Sequence, residues 1–149
     1  MLIYLDASVI ASLLFEEPAS TRVFRTLNAF GAAVLISDFA AAEVASAASK
    51  RIRMRLDTAK AANTRLAALD AFRSELRVKT SLEAEDIRAA ERLVRAFELK
   101  LRTPDAIHAA VCLRHNYRLA TLDANLAFAA RALGVVCINP AEDIGEQKN

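Results

Sequence analysis

The sequence contains few of the residues that break helices or cross-link chains. Among 149 residues there are three glycines, three prolines, two cysteines and no tryptophan. The scarcity of glycine and proline, together with abundant alanine, favours helices. Cys112 and Cys137 stand in apolar surroundings without the spacing of a zinc site, so we expect free thiols in a reducing compartment rather than a disulfide.

The sequence also lacks a strong net charge and a long apolar run. The formal net charge is +2, which produces no strong field and does not by itself indicate a nucleic-acid partner. No uncharged apolar stretch reaches the roughly 20 residues of a membrane span. The first ten residues have no basic leader, and Asp6 interrupts their apolar run, so they are not expected to be a signal peptide. We therefore expect a cytoplasmic protein with no membrane partner.

The composition that is present is typical of a globular protein. Hydrophobic residues make up 54% of the chain and charged residues 26%. The length suits one domain spanning residues 1–149, and the polar tail from about residue 141 is expected to be loosely ordered.

Short apolar segments alternate with helical patterns along the chain. Four helices are expected at residues 7–15, 20–30, 103–115 and 123–133. A long arginine-rich helical stretch is expected from about residue 39 to residue 73, and a further helix is expected to begin at residue 81. Strands are predicted at Leu2–Leu5, Val34–Ser37, more weakly Leu76–Lys79, Arg118–Thr121 and Val135–Ile138. Because these strands are continuously apolar, as strands covered on both faces are, we predict an α/β three-layer sandwich with a short parallel sheet of about five strands.

Four acidic residues are expected at one edge of this sheet. Asp6 follows the first strand directly, and Glu43 lies about one turn into the helix after the second. Asp105 stands at the start of the helix that precedes the strand at 118, and Asp123 follows that strand. In a parallel α/β sheet these positions share the carboxyl edge of the strands, where ligands bind.

Each acid alone has an ordinary explanation. Asp6 and Asp123 suit helix N-caps, Asp105 suits a first helical turn, and a lone Glu43 suits a solvated helix face. Together, four carboxylates repel one another unless they are neutralised. Only Asp105 has an arginine, Arg102, close in sequence, and a hard divalent cation such as Mg²⁺ or Mn²⁺ would neutralise the group.

Basic residues and one histidine offer further candidates. Arg51, Arg53 and Arg55, with Arg102, are candidates for holding RNA phosphates, although a charge run also suits a solvated helix end. His108 follows Asp105 by three residues. Its apolar neighbours favour a packed core histidine over a general base.

Three motifs resemble a known family. They are D-A-S at 6–8, L-R-T-P-D-A-I-H at 101–108 and T-L-D-A-N-L at 121–126, with Glu43 between the first two. This order resembles the PIN domain, and specifically the VapC-type toxins of bacterial and archaeal toxin–antitoxin pairs. The similarity covers nearly the whole chain, and the family often carries a phenylalanine where Leu126 stands.

The resemblance implies a PIN-like fold and an Mg²⁺- or Mn²⁺-dependent endoribonuclease. Its catalytic residues would be Asp6, Glu43, Asp105 and Asp123, with Asp6, Asp105 and Asp123 as metal ligands. Ser8 and Thr121 match polar positions that support these acids. The implied partners are an RNA substrate, a small antitoxin protein and a second copy of the chain in a homodimer.

Two other functions were weighed from the residues. An aspartate-based phosphatase also carries an aspartate after its first strand, but it needs a second acid two residues later, where this chain has Ser8. A non-catalytic PIN-like module that binds RNA or protein would lack one or more of the four acids, and this chain keeps them all.

Overall fold

A four-stranded parallel sheet forms the centre of the structure, a computed structural model that describes residues 2–142. Its strands are β1 Leu2–Leu5, β2 Ala33–Leu35, β3 Arg118–Ala120 and β4 Cys137–Ile138. They lie in the order β2-β1-β3-β4, so β1 and β3 are central. The order places the ends of β1 and β3 side by side, with Leu5 opposite Ala120.

The sheet is covered on both faces, as the continuous apolar strands predict. Successive side chains of β1 enter different cores: Tyr4 packs with Leu35 and Leu119 on one side, while Ile3 and Leu5 join the cluster on the other. Alternation along a strand produces this division. The predicted α/β sandwich is confirmed.

Seven α-helices and one short 3₁₀ helix lie within residues 2–142. Polar side chains cap four of the helices, because Asp6, Ser37, Thr58 and Asp123 each accept a hydrogen bond from a backbone N–H of the first turn. The bounds are α1 Ala7–Leu14, α2 Ser20–Phe30, α3 Asp38–Arg53, α4 Ala59–Glu75, α5 Ala84–Arg95, the 3₁₀ helix Phe97–Leu99, α6 Thr103–His115 and α7 Ala124–Ala132.

The strand predicted at Leu76–Lys79 is not observed, so within residues 2–142 the sheet has four strands rather than about five. Residues 76–79 form no strand; the nearest pairing is an isolated parallel bridge between Ser37 and Thr80. Arg77 and Lys79 are exposed in this segment, and β2 ends at Leu35. Leu76 and Val78 still pack against the cores, but β2 has ended before it could pair with this segment.

Several helix boundaries also differ from the expectation. α5 begins at Ala84 rather than Ser81, because the Asp86 carboxylate accepts a hydrogen bond from the backbone N–H of Glu83. α6 has Arg102 at its N-cap, so Thr103 is its first residue. The arginine-rich helix is divided between α3 and α4.

Two further expectations concern the membrane and the tail. Across residues 2–142, every helix is too short or too polar to span a bilayer. The expected loose tail from residue 141 lies almost wholly outside the described residues, since only Ala141 and Glu142 belong to them.

Candidate active site

Asp6 lies buried at the carboxyl end of β1, where it begins α1. Its Oδ1 accepts hydrogen bonds from the Val9 N–H at 3.0 Å and the Ser8 hydroxyl at 2.6 Å, and its Oδ2 accepts one from the Thr121 hydroxyl at 2.5 Å. Burial raises the pKa of Asp6, against the lowering effect of the hydroxyls of Ser8 and Thr121. The carboxylate is well oriented, but its charge is poorly solvated.

Ser8 and Thr121 connect this carboxylate to the loop after β3. The Thr121 hydroxyl accepts a hydrogen bond from the Asp123 N–H at 3.0 Å, and the Ser8 hydroxyl accepts one from the Leu122 N–H at 2.9 Å. Thr121 is fully buried. These bonds hold the backbone of Asp123 beside Asp6, as expected for neighbouring parallel strands that end at the same edge.

Asp105 faces Asp123 from the first turn of α6. Burial raises the pKa of Asp105, and the charge of Asp123 raises it further, while Arg102 opposes both. The Nε of Arg102 lies 3.4 Å from the Asp105 carboxylate, and its side chain is 78% exposed. A long contact with an exposed cation compensates only part of the carboxylate's charge.

Glu43 reaches the same edge from the second turn of α3, where its side chain is 26% exposed. Its Oε2 lies 2.5 Å from the Nε2 of His108, which stands one turn after Asp105 on α6. The other ring nitrogen of His108 lies 2.7 Å from the Tyr4 hydroxyl, and that hydroxyl lies 2.7 Å from the Ser37 hydroxyl.

The sequence did not predict that His108, Tyr4 and Ser37 form a line of hydrogen bonds to Glu43. The expectation that His108 is buried is right, yet it contacts Glu43 directly. One signal was available: residues three apart on a helix share a face, so His108 had to point to the same side as Asp105. No local pattern in the sequence indicated that Glu43, 65 residues away, would be the hydrogen-bond partner of His108.

The donor chemistry of the acids fits a hard divalent cation. In the described part of the chain, no lysine or arginine forms an ion pair with Asp6, Glu43 or Asp123. Two of the acids have raised pKa values, and oxygen donors suit Mg²⁺ or Mn²⁺. Within residues 2–142, no three His, Cys, Asp or Glu side chains lie close enough together to bind one metal ion in their present conformations.

The structure separates the predicted RNA-binding arginines. Arg102 lies at the acids, but Arg51 follows Glu43 by eight residues on α3, about 12 Å along the helix axis. The Arg51 guanidinium lies over the Phe15 ring, 4.7 Å from its centre. Arg53 donates a hydrogen bond to Ser49, and Arg55 lies in the turn after α3. Of these four arginines, only Arg102 adjoins the acidic group.

An apolar groove has none of the four acids in its lining. It runs between α1, α2 and α4 and encloses about 540 Å³. Phe24 and Phe72 line it and remain 61% and 46% exposed. We call it the apolar groove; its other lining residues include Leu13, Leu14 and Leu27.

Comparison with known proteins places this arrangement in context. The PIN domain family model matches residues 3–132. The chain is similar in structure to VapBC2 from Rickettsia felis bound to a promoter DNA fragment, with 20% identity, 93% of this chain and 98% of that chain covered, and a TM-score of 0.66. No curated protein matches its sequence.

Two further solved structures have the same fold. VapC20 from Mycobacterium tuberculosis, described as a Sarcin-Ricin loop cleaving toxin, is 22% identical over 93% of this chain and 99% of that chain, with a TM-score of 0.69. FitAcB from Neisseria gonorrhoeae is 23% identical over 93% of this chain and 97% of that chain, with a TM-score of 0.68.

Proposed function

This chain belongs to the PIN domain family, and from that premise we propose that it is a divalent-metal-dependent endoribonuclease of the VapC toxin kind. The observation that carries the proposal is the buried Asp6 carboxylate, which has no cationic partner among the described residues and is joined through Thr121 to Asp123. The charge of Asp123 raises the pKa of Asp105, so these two carboxylates interact, and the charge of Asp105 is also poorly compensated. A site that concentrates negative charge in this way is suited to bind a cation.

Asp6, Asp105 and Asp123 would hold Mg²⁺ or Mn²⁺, which when bound lowers the pKa of water and neutralises charge on a phosphodiester. Glu43 stands beside these acids, fixed by His108. Its other oxygen would orient the water that attacks phosphorus and would accept a proton from that water, while the bond from phosphorus to the leaving ribose oxygen breaks and that oxygen takes a proton from solvent water. Ser8 and Thr121 hold both oxygens of Asp6, so that this carboxylate keeps one orientation.

RNA must approach a negatively charged site, and an exposed cation at its mouth favours that approach. Arg102 meets this requirement, because its side chain is largely in solvent and its guanidinium adjoins Asp105. Arg51, Arg53 and Arg55 would then contact only RNA that extends along α3. They remain a proposed second contact area.

The partners are part of the same proposal. Structures similar to this chain include toxin–antitoxin complexes, among them one from Klebsiella pneumoniae at 19% identity, 94% of this chain and 98% of that chain covered, and a TM-score of 0.66. We therefore expect a small antitoxin, with the apolar groove as its binding surface, and a homodimer that works on RNA in the cytoplasm. Sedimentation of the purified chain tests the dimer.

The direct test is RNA cleavage by Asp6→Ala and Asp105→Ala. Both variants should retain the wild-type circular dichroism spectrum and lose Mg²⁺- or Mn²⁺-supported cleavage, because each lacks a ligand. EDTA should abolish cleavage by the wild type. Asp70→Ala is the matched control, since its carboxylate is 74% exposed and contacts Arg73 only at 3.8 Å. Cleavage at near wild-type rate by either active-site variant would refute the assignment.

The same assay separates the alternatives. Hydrolysis of a small phosphomonoester without RNA cleavage would favour an aspartate-based phosphatase. Metal binding without cleavage of any RNA would favour a non-catalytic module that binds RNA or protein.

A further inference from the structure

A continuous line of hydrogen bonds joins three elements beneath the acidic site. It runs from Ser37 through Tyr4 and His108 to Glu43, with distances of 2.7, 2.7 and 2.5 Å between successive side-chain atoms. We call this line the relay. Ser37 and Tyr4 are fully buried, and His108 nearly so. Water therefore has little access to the relay, and its members must satisfy one another.

The relay has one consistent direction when Glu43 is ionised and the imidazole is neutral. An ionised Glu43 carboxylate only accepts, so the Nε2 of His108 must donate to it. A neutral imidazole then accepts at Nδ1, which makes the Tyr4 hydroxyl the donor there and the Ser37 hydroxyl the donor to Tyr4. Ser37 has an acceptor position left, and the Ala40 N–H donates to it at 3.0 Å. Every polar group is satisfied in this arrangement.

Each relay member lies on, or directly before, an element that carries or positions an acid of the site. Tyr4 lies on β1, two residues before Asp6 at the end of that strand, and His108 follows Asp105 by three residues on α6. Ser37 caps α3, the helix that bears Glu43 itself. The relay therefore closes a ring through α3, β1 and α6.

Packing prevents the imidazole from turning out of this ring. The Tyr4 ring meets the imidazole edge-on with centres 5.6 Å apart, and the Phe39 ring lies against it at 5.1 Å. A buried imidazole between two aromatic rings keeps one rotamer. The Nε2 donor is consequently aimed at one place.

We propose that His108, supported by Tyr4 and Ser37, is a positioning residue that holds the Glu43 carboxylate at a fixed place beside Asp6 and Asp105. A glutamate side chain has three rotatable bonds, and that of Glu43 is 26% exposed, so without a partner it could take other orientations. The His108 hydrogen bond removes that freedom, so Glu43 is already placed when RNA arrives. This inference rests on the proposed nuclease function and assigns no proton transfer to the histidine.

Cleavage kinetics provide the first test. His108→Leu should lower kcat by about 10- to 100-fold, the usual effect of losing a supporting hydrogen bond, with KM for RNA nearly unchanged. His108→Gln, which keeps an N–H donor, should recover part of the loss, and Tyr4→Phe should lower kcat less than His108→Leu does. Adding His108→Leu to Glu43→Gln should cause no further loss, because the histidine acts only through Glu43.

The chain offers matched controls for both substitutions. His115 and Tyr117 stack on each other away from the acids, so His115→Leu and Tyr117→Phe should leave kcat at the wild-type value. Multiplicative losses in the double variant would overturn the proposal, as would a full loss with His108→Gln. Where His108→Leu fails to fold, Tyr4→Phe decides, because it removes only the hydroxyl.

A spectroscopic test does not depend on cleavage. The chain has two histidines, so ¹⁵N imidazole spectra contain two sets of signals, and His115→Leu assigns them. His108 should show a protonated Nε2 and an unprotonated Nδ1, with Tyr4→Phe shifting the Nδ1 signal and Glu43→Gln the Nε2 signal. Two equally populated tautomers, or no response to either substitution, would overturn the relay. If His108 has a single tautomer but the protein cleaves no RNA, the proposed nuclease function is wrong and the relay is not.

Discussion

At the scale of single residues, the acids of this site differ in how their charge is balanced. Asp6 and Asp105 have raised pKa values because burial removes water from their carboxylates. Asp6 is held by neutral hydroxyls, and Asp105 has only a long contact with an exposed arginine. Each ionised carboxylate therefore lowers the stability of the folded chain, and the proposed cation is expected to offset that cost.

Replacing Asp105 with asparagine should stabilise the metal-free protein at neutral pH. A raised pKa means that the folded chain binds the proton more tightly than the unfolded chain, so the carboxylate's contribution to the unfolding free energy falls as pH rises from the ordinary value of 3.8 through the folded pKa. Asp105→Asn should therefore unfold at higher denaturant concentration than wild type at pH 7, and the advantage should disappear below 3.8. Urea titrations with EDTA measure it.

Addition of Mg²⁺ should make the wild type more stable than Asp105→Asn, because only the wild type keeps the full set of proposed metal ligands. Asp70→Asn, with its exposed carboxyl group, is the control and should show neither effect. A variant less stable than wild type at every pH without metal would contradict the expectation.

Arg102 should contribute one phosphate contact. Arg102→Ala removes an exposed cation at the site's mouth, so RNA affinity should fall, and the slope of log affinity against log salt should decrease in magnitude by about 0.7 to 1. Titrations of a fluorescent RNA on the inactive Asp6→Ala background measure both quantities. The double variant Arg53→Ala/Arg55→Ala tests the distant cluster, and an unchanged slope there would exclude it. An unchanged slope in Arg102→Ala would exclude Arg102.

At the scale of elements, α6 carries Asp105 and His108 at one end and is fastened to α5 at the other. Arg114 donates two hydrogen bonds to the Asp86 carboxylate, at 2.7 and 2.8 Å, and a third to Glu83 at 2.8 Å. Asp86 is 1% exposed. Burial acts to raise the pKa of Asp86, but the bonds from Arg114 and from the Glu83 backbone outweigh it and lower the pKa.

Arg114→Ala should destabilise the fold by about 3 kcal/mol, because it leaves the Asp86 charge buried without its partner. Arg88→Ala is the control: Arg88 pairs with Glu85 at the surface, and its removal should cost less than about 1 kcal/mol. Chemical denaturation of both variants at pH 7 gives the comparison. Equal losses would show that the buried pair contributes no more than a surface pair.

At the scale of the whole molecule, the acidic site and the apolar groove are separate surfaces. The residues that line the groove belong mainly to α1, α2 and α4, and none of the four acids is among them. Exposed aromatic residues in a groove of this size suit the apolar face of a partner helix. Binding of an antitoxin should therefore be separable from RNA cleavage.

Phe24→Glu should weaken antitoxin binding and leave cleavage intact, because it places a charge in the groove without touching the acids. Phe128→Glu is the matched control, since Phe128 is similarly exposed on α7 outside the groove. The measurement is calorimetry with the product of a small reading frame directly upstream of this gene, followed by RNA cleavage assays. Full affinity in Phe24→Glu would exclude the groove as the antitoxin surface.

Local signals were sufficient for much of the fold. Asp6 caps α1 and Asp123 caps α7, both as expected from residue chemistry. Local signals do not show which strands pair with one another. Residues 76–79 contain strand-forming residues, but no neighbouring strand is available to hydrogen-bond with them. That the whole chain forms a single PIN domain remains a prediction.

The sequence by itself determined the alternation of strands and helices and the acids' place at one sheet edge. Both follow from local periodicity and from the geometry of parallel sheets. Only the tertiary structure decided that His108 meets Glu43, 65 residues away, and that Arg102, rather than the cluster at Arg51, adjoins the acids. Those contacts depend on how α3 and α6 pack around β1, and packing joins residues that no local pattern connects.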